Sequence, residues 1–172
     1  MRKLLFVFVS VLMIGTVSAQ SKVAHINSTK VLDTLPSRKD ALKELQDFSK
    51  AAEKELTDLE AELQKAYEKY MKERESLSPV LRQYEEERLQ KMQTNLQTRE
   101  QELQQRLQAR GNELNDPILK RLQKAVELVS DRKKLSYVID ETQLLYFKGG
   151  QDITNEVIDE ILKLDAAEYK KK

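Results

Sequence analysis

The sequence predicts a mainly α protein with a small β body, in which a long antiparallel helical hairpin, a coiled-coil arm, projects from a short-stranded sheet. Three observations predict it. Apolar residues recur at coiled-coil spacing from Leu42 to Leu77, the stretch SLSPVL (Ser76–Leu81) breaks that repeat midway, and β-prone runs stand on both sides of the helical stretch, KVAHI before it and LSYVID and QLLYF after it.

The first nineteen residues are read as an address rather than structure. Arg2 and Lys3 precede an apolar run from Leu4 to Ile14, and Val17-Ser18-Ala19 supplies the small residues a signal peptidase needs, so cleavage is expected after Ala19 and the mature chain starts at Gln20. The run is too short for a membrane span. Without Arg2 and Lys3, 28 Lys and Arg stand against 29 Asp and Glu, a net charge of −1, which excludes nucleic-acid binding by charge. With 34% charged and 6% aromatic residues, no Trp and no Cys, the chain lacks both a thick core and disulfide staples, and pooling apolar surface between copies is the expected solution.

Lys22 to Ile26 is read as the first strand, and Asn27-Ser28 as the cap of a short helix ending by Pro36, so residues 20–36 open the body. Ser37 followed by Asp40 reads as a capping box that starts the arm, residues 37–134. The seam positions 42, 45, 49, 52, 56, 59, 63, 66, 70, 73 and 77 hold Leu, Leu, Ser, Ala, Leu, Leu, Leu, Ala, Tyr, Glu and Leu, so nine of eleven suit a heptad. Ser78 as N-cap and Pro79 at the first helical position place the tip near 76–79. The return line runs through Leu81, Leu89, Met92, Leu96, Leu103, Leu107, Leu114 and Ile118, interrupted by Arg99 and Arg110, with a spacing that is helical rather than strictly heptad. Asp116-Pro117 is expected to kink the helix, after which Leu119, Leu122, Val126 and Val129 resume the line to about Lys134. Two limbs of about 50 residues, ~75 Å each at 1.5 Å per residue, return the late strands to the first one. Residues 135–172 then complete the body with strands at 135–140 and 143–147, a Gly149-Gly150 turn and a final helix carrying Ile153, Val157, Ile158, Ile161 and Leu162, capped by Asp152 or Thr154.

No catalytic, metal or cofactor constellation emerges, and no enzyme activity or cofactor is expected. His25 is the single histidine and is read as a packing residue, Glu85-Glu86-Glu87 as a solvated helix face, and Gly149-Gly150 as a turn lacking a phosphate-binding fingerprint. Tyr67, Tyr70, Met71, Tyr84 and Met92 gather on both sides of the tip. Some must pack the seam, and those that face outward are candidates for adaptable apolar contact with a partner.

These residues together resemble the Skp/OmpH family of periplasmic chaperones: the signal segment, KVAHINSTKVL, the charged hairpin, and LSYVIDETQLLYFKGGQDITNEVIDEIL with its VID and DIT..V (Asp152, Ile153, Thr154, Val157) in the family's order. The resemblance implies a homotrimer whose arms enclose a cavity for unfolded outer-membrane β-barrel proteins, working without ATP. Its trimer body would be built from Val23, Ile26, Leu135, Tyr137, Val138, Ile139, Leu144, Leu145 and Phe147. The near-neutral mature chain departs from the family's strongly basic members. The tip, Gln64 to Tyr84, keeps a net charge of only +2, which counts against lipopolysaccharide or membrane contact. A structural or adaptor coiled coil of the cell envelope is the alternative reading.

Overall fold

The computed structural model describes residues 22–169. The signal segment and the cleavage point after Ala19 lie outside the described residues. The described chain divides into two compact units, a body formed by residues 22–34 together with residues 122–169, and an arm, Leu35–Arg121.

In the body, strand β1 (Val23–Ile26) is central in a three-stranded parallel sheet, with β2 (Tyr137–Asp140) on one side and β3 (Gln151–Asp152) on the other. Val23 stands opposite Tyr137 and Ile26 opposite Asp140, while Ala24 and His25 stand opposite Gln151 and Asp152. The alternation in VAHI gives β1 one buried face, Ala24 and Ile26. Helix α1 (Ser28–Asp33) follows at once, because Asn27 Oδ1 accepts the Lys30 N–H at 2.9 Å and so caps it. Val31 and Leu32 of α1 are buried, and α1 packs on the last helix, α4 (Thr154–Glu168), whose Val157, Ile161 and Asp165 form a buried line at four-residue steps. Asp152 Oδ1 accepts the Thr154 N–H at 2.9 Å, but the N-cap of α4 is Ile153, which makes no side-chain capping bond, so neither Asp152 nor Thr154 caps the helix as expected.

The arm is an antiparallel pair, α2 (Pro36–Glu73) and α3 (Pro79–Lys133), the second of which runs on into the body unit. Three cross-helix pairs, Glu44 with Arg110, Glu55 with Arg99 and Tyr70 with Glu86, fix the antiparallel sense. The turn between them has the chemistry expected of Ser78-Pro79: the Ser78 carbonyl and hydroxyl accept the Arg82 and Leu81 N–H groups at 2.9 and 3.4 Å.

Several expectations are corrected. The segment 143–147 is not a strand. Gln143 closes a 3₁₀ turn (Glu141–Gln143) and residues 144–147 form no regular element, because a β-prone run without a neighbouring strand has nothing to pair with. Gly149 and Gly150, both at positive φ, therefore lead into the sheet instead of ending it. The Ser37–Asp40 capping box does not form: α2 starts at Pro36, Leu35 is its N-cap, and the buried Ser37 hydroxyl accepts from Arg121 Nη2 at 3.1 Å. Pro117 lies inside an uninterrupted α3, and the buried line beyond it is Ile118, Arg121, Ala125 and Val129, with Leu119 exposed. At the start of α2, likewise, Ala41 is buried and Leu42 exposed.

Candidate functional site

The body of one copy leaves an apolar surface bare. Along β2, exposed Tyr137 and Ile139 alternate with half-buried Val138 and Asp140. Leu144, Leu145, Tyr146 and Phe147 follow in sequence, all exposed, with Leu145 fully so and Tyr146 at 78%. Of the residues assigned to a shared body, Ile26 is buried inside the copy, Val23, Leu135 and Val138 are half-buried, and Tyr137, Ile139, Leu144, Leu145 and Phe147 face out. Full burial of such side chains is worth about 1.5–3 kcal/mol each. Four consecutive exposed ones form a patch that a soluble body must cover or use.

A polar network holds this surface in place. His25 Nδ1 lies 3.1 Å from Glu141 Oε2, and Asn27 Nδ2 donates to Glu141 Oε1 at 2.6 Å, so one carboxylate ties β1 to the turn after β2. The His25 ring meets Phe147 with centroids 4.9 Å apart, the packing role expected of it. The Thr154 hydroxyl accepts the Asn27 N–H at 3.1 Å and donates to Asp152 Oδ1 at 2.6 Å. These bonds from the Thr154 side chain and backbone hold the Asp152 carboxyl below its ordinary range, and the nearby His25 and Lys30 charges add to it. Burial pushes Asp140 up, but bonds from Ser28 and Thr142 outweigh it and leave that carboxyl lowered too.

On the arm, the two arginines that interrupt the apolar line are crossbars. Arg99 Nε and Nη2 donate to the two oxygens of Glu55 at 2.6 and 3.2 Å while Nη1 reaches Glu102 at 2.9 Å. Arg110 likewise bridges Glu44, through a single carboxylate oxygen, and Glu113. The Arg99 hydrogen bond holds Glu55 below its ordinary value, and the paired carboxylates raise both guanidiniums. Nearer the tip, Tyr70 is buried and its hydroxyl donates to Glu86, which raises the phenol above its usual range.

The five partner-contact candidates thus separate. Tyr67, Met71 and Tyr84 are exposed, together with Val80, which the sequence reading left out, and Leu81, which it placed on the return seam. Met92 is half-buried at a seam position. Tyr70 is corrected: its ring fills the seam and its hydroxyl is engaged, so it is not offered to a partner.

Also missed was an internal repeat. Arg88, Arg99, Arg110, Arg121 and Arg132 recur every eleven residues, with Met92, Leu103, Leu114 and Ala125 in one apolar column and Leu96, Leu107, Ile118 and Val129 in another. Eleven residues close three helical turns at about 3.67 residues per turn, so this face drifts by only about 20° per eleven residues along α3, more slowly per residue than a strict heptad and in the opposite sense. Comparing the chain with itself at a shift of eleven would have found it. Among the described residues, no cluster of His, Cys, Asp or Glu could hold a metal ion, and no helix is long and apolar enough to cross a membrane.

The family model of outer membrane protein (OmpH-like) matches residues 22–161, from β1 into α4. The chain belongs to the OmpH-like family. Its relatives include the chaperone protein Skp of Yersinia pseudotuberculosis, 32% identical over 147 residues, with 86% of this chain and 89% of the relative covered. The Skp of Pectobacterium atrosepticum is 27% identical over the same coverage. A crystal structure of an OmpH-like outer membrane chaperone from Caulobacter crescentus superposes with a TM-score of 0.71 at 18% identity, covering 87% of both chains, and shares the fold. The expected mainly α fold with a small sheet is therefore the family's, although the sheet recruits 151–152 where 143–147 was expected.

Proposed function

We propose that this member of the OmpH-like family is an exported chaperone that holds unfolded outer-membrane proteins as a homotrimer and prevents their aggregation without nucleotide. The observation that carries the assembly is the bare apolar run Leu144–Phe147 beside the exposed side chains of β2. In one copy this β-prone segment has no strand to pair with. In a trimer it would lie along a neighbour's sheet and gain both hydrogen bonds and burial. The relatives named Skp support the chaperone reading, as does the apolar tip of Tyr67, Met71, Val80, Leu81 and Tyr84 on an otherwise polar arm. Scattered weak contacts of this kind hold a chain that has no fixed shape and let it leave when a stabler folded state is available.

The working location is the periplasm, reached through the signal segment that ends at Ala19. The test pairs two measurements on the mature chain. Light scattering should give three times the chain mass for the wild type and a smaller species for Leu145→Asp. At several-fold trimer excess, the wild type should keep a urea-denatured outer-membrane β-barrel protein soluble on dilution without ATP. A monomeric wild type would remove the assembly, and unchanged client aggregation would remove the holding activity.

A further inference from the structure

The return helix of the arm carries a second pattern on the eleven-residue period. Gln90, Gln93, Gln97, Gln101, Gln104 and Gln108 step along α3 by three, four, four, three and four residues, and Asn112 and Asn115 continue the line. All eight are exposed, and the stripe lies on a flank turned away from the seam residues Met92, Leu96, Arg99 and Leu103. From Gln90 to Asn115 the stripe is ~38 Å long, at 1.5 Å per residue. Among the described residues, none of these side chains is hydrogen-bonded within the fold. A solvated helix face does not require this composition. Over its 38 residues α2 has only Gln46 and Gln64, and it fills its exposed positions largely with Lys, Glu and Asp.

We infer that the carboxamide stripe is a contact surface for the backbone of an extended, unpaired polypeptide, which deepens the holding function proposed above and rests on it. A carboxamide offers one carbonyl acceptor and an N–H donor, the same pair that a peptide unit presents, so it can bond any residue's backbone whatever its side chain. The stripe carries no formal charge and so favours neither acidic nor basic segments. Successive amides lie ~5.4 Å apart along the helix, whereas one edge of an extended chain repeats every two residues, ~6.7 Å. The flexible side chains absorb that difference without imposing a register, and the bound chain stays free to slide. Two neighbouring features suit the same occupant. A shallow groove lined by Glu87, Gln90, Lys91, Thr94, Asn95 and Thr98 opens beside the upper end, and the next step of the line beyond Asn115 is the exposed apolar Leu119.

The experiment uses the full mature chain and a fluorescent twenty-residue peptide of alternating apolar and polar residues. The same peptide with alternate backbone nitrogens methylated keeps every side chain and loses half its N–H donors. The wild type should bind the unmethylated peptide about tenfold more tightly, the collective effect of several weak hydrogen bonds. The variant Gln93→Ala/Gln97→Ala/Gln101→Ala/Gln104→Ala/Gln108→Ala should bind both peptides alike. Alanine favours helix, and circular dichroism should confirm an intact arm. Asparagine at the same five positions keeps the amides and should retain the discrimination. A wild type indifferent to methylation, or an alanine variant that still discriminates, overturns the inference. So does a variant whose light-scattering mass changes, since the stripe would then join copies. A wild type that protects a denatured outer-membrane β-barrel protein yet ignores methylation loses only the stripe, whereas one that fails to protect the client loses the holding function itself.

Discussion

Shortening Ile161 to alanine should loosen the body selectively. Ile161 has no solvent exposure and follows Val157 by one turn on the face of α4 that packs toward α1 and the sheet. The truncation removes three carbons, about 2.4 kcal/mol of transfer free energy at roughly 0.8 kcal/mol each, and the cavity left behind adds about another 1 kcal/mol. The expected loss is ~3–4 kcal/mol. Because the arm contributes most of the helical signal, a global spectroscopic transition would blur the effect, and native-state hydrogen exchange of the 154–168 segment reads it locally. Amides of that segment should exchange two to three orders of magnitude faster, at a fixed protein concentration so that any assembly contributes equally. Leu162, the next residue, is 36% exposed, and Leu162→Ala should shift exchange by under about tenfold. Equal acceleration by the two substitutions would mean that α4 does not close the core of the body, and the packing described for it would be wrong.

Three further outcomes follow from other parts of the fold. Lys134 sits at φ 53° just past the end of α3, where Leu135 N–H bonds the Ser130 carbonyl at 3.0 Å, so Lys134→Gly should raise stability by about 0.5–1 kcal/mol in urea titration. The Asp152 carboxyl is depressed in the folded protein, so its contribution is present above the ordinary carboxylate pKa of about 4 and fades as pH falls through the lower folded value; Asp152→Asn should flatten the acid limb of a stability-against-pH curve, and an unchanged limb would show that Thr154 does not hold it. Deleting residues 45–55 with 99–109 removes one matched eleven-residue block, leaves Arg110 facing Glu44 and should preserve cooperative melting of the arm, whereas deleting 49–55 with 99–105 puts the seam out of phase and should broaden it.

What could be read from the residues, and what could not, divides by the range of the interactions involved. The turn at Ser78-Pro79 and the cap at Asn27 were legible because each is decided within three or four residues. Ser37 misled because the hydroxyl that should have capped α2 is taken by Arg121, a partner 84 residues away. The strand expected at 143–147 failed for the same kind of reason, since strand formation needs a neighbour and β1 accepts 151–152 on that side. Arg99 and Arg110 looked like faults in a heptad because their meaning lies in Glu55 and Glu44 across the hairpin, and the eleven-residue repeat was hidden by testing for seven. Among the candidate contact residues, Tyr70 stood both on the heptad seam and among the possible contacts, and its burial decides for the seam.

The central place of β1 has a consequence for how the molecule comes into being. Its sheet partners lie more than a hundred residues later in the chain: Val23 waits for Tyr137, and the His25 contact with Glu141 spans 116 residues. The body therefore cannot close until residues 137–152 are available, and the first strand remains uncommitted until most of the chain has been made. The hairpin between them needs only nearby residues and shortens the effective loop to be closed, so zippering from Ser78 toward Arg121 does the search on behalf of the termini. Late assembly of the ends leaves both termini slack until the hairpin has formed.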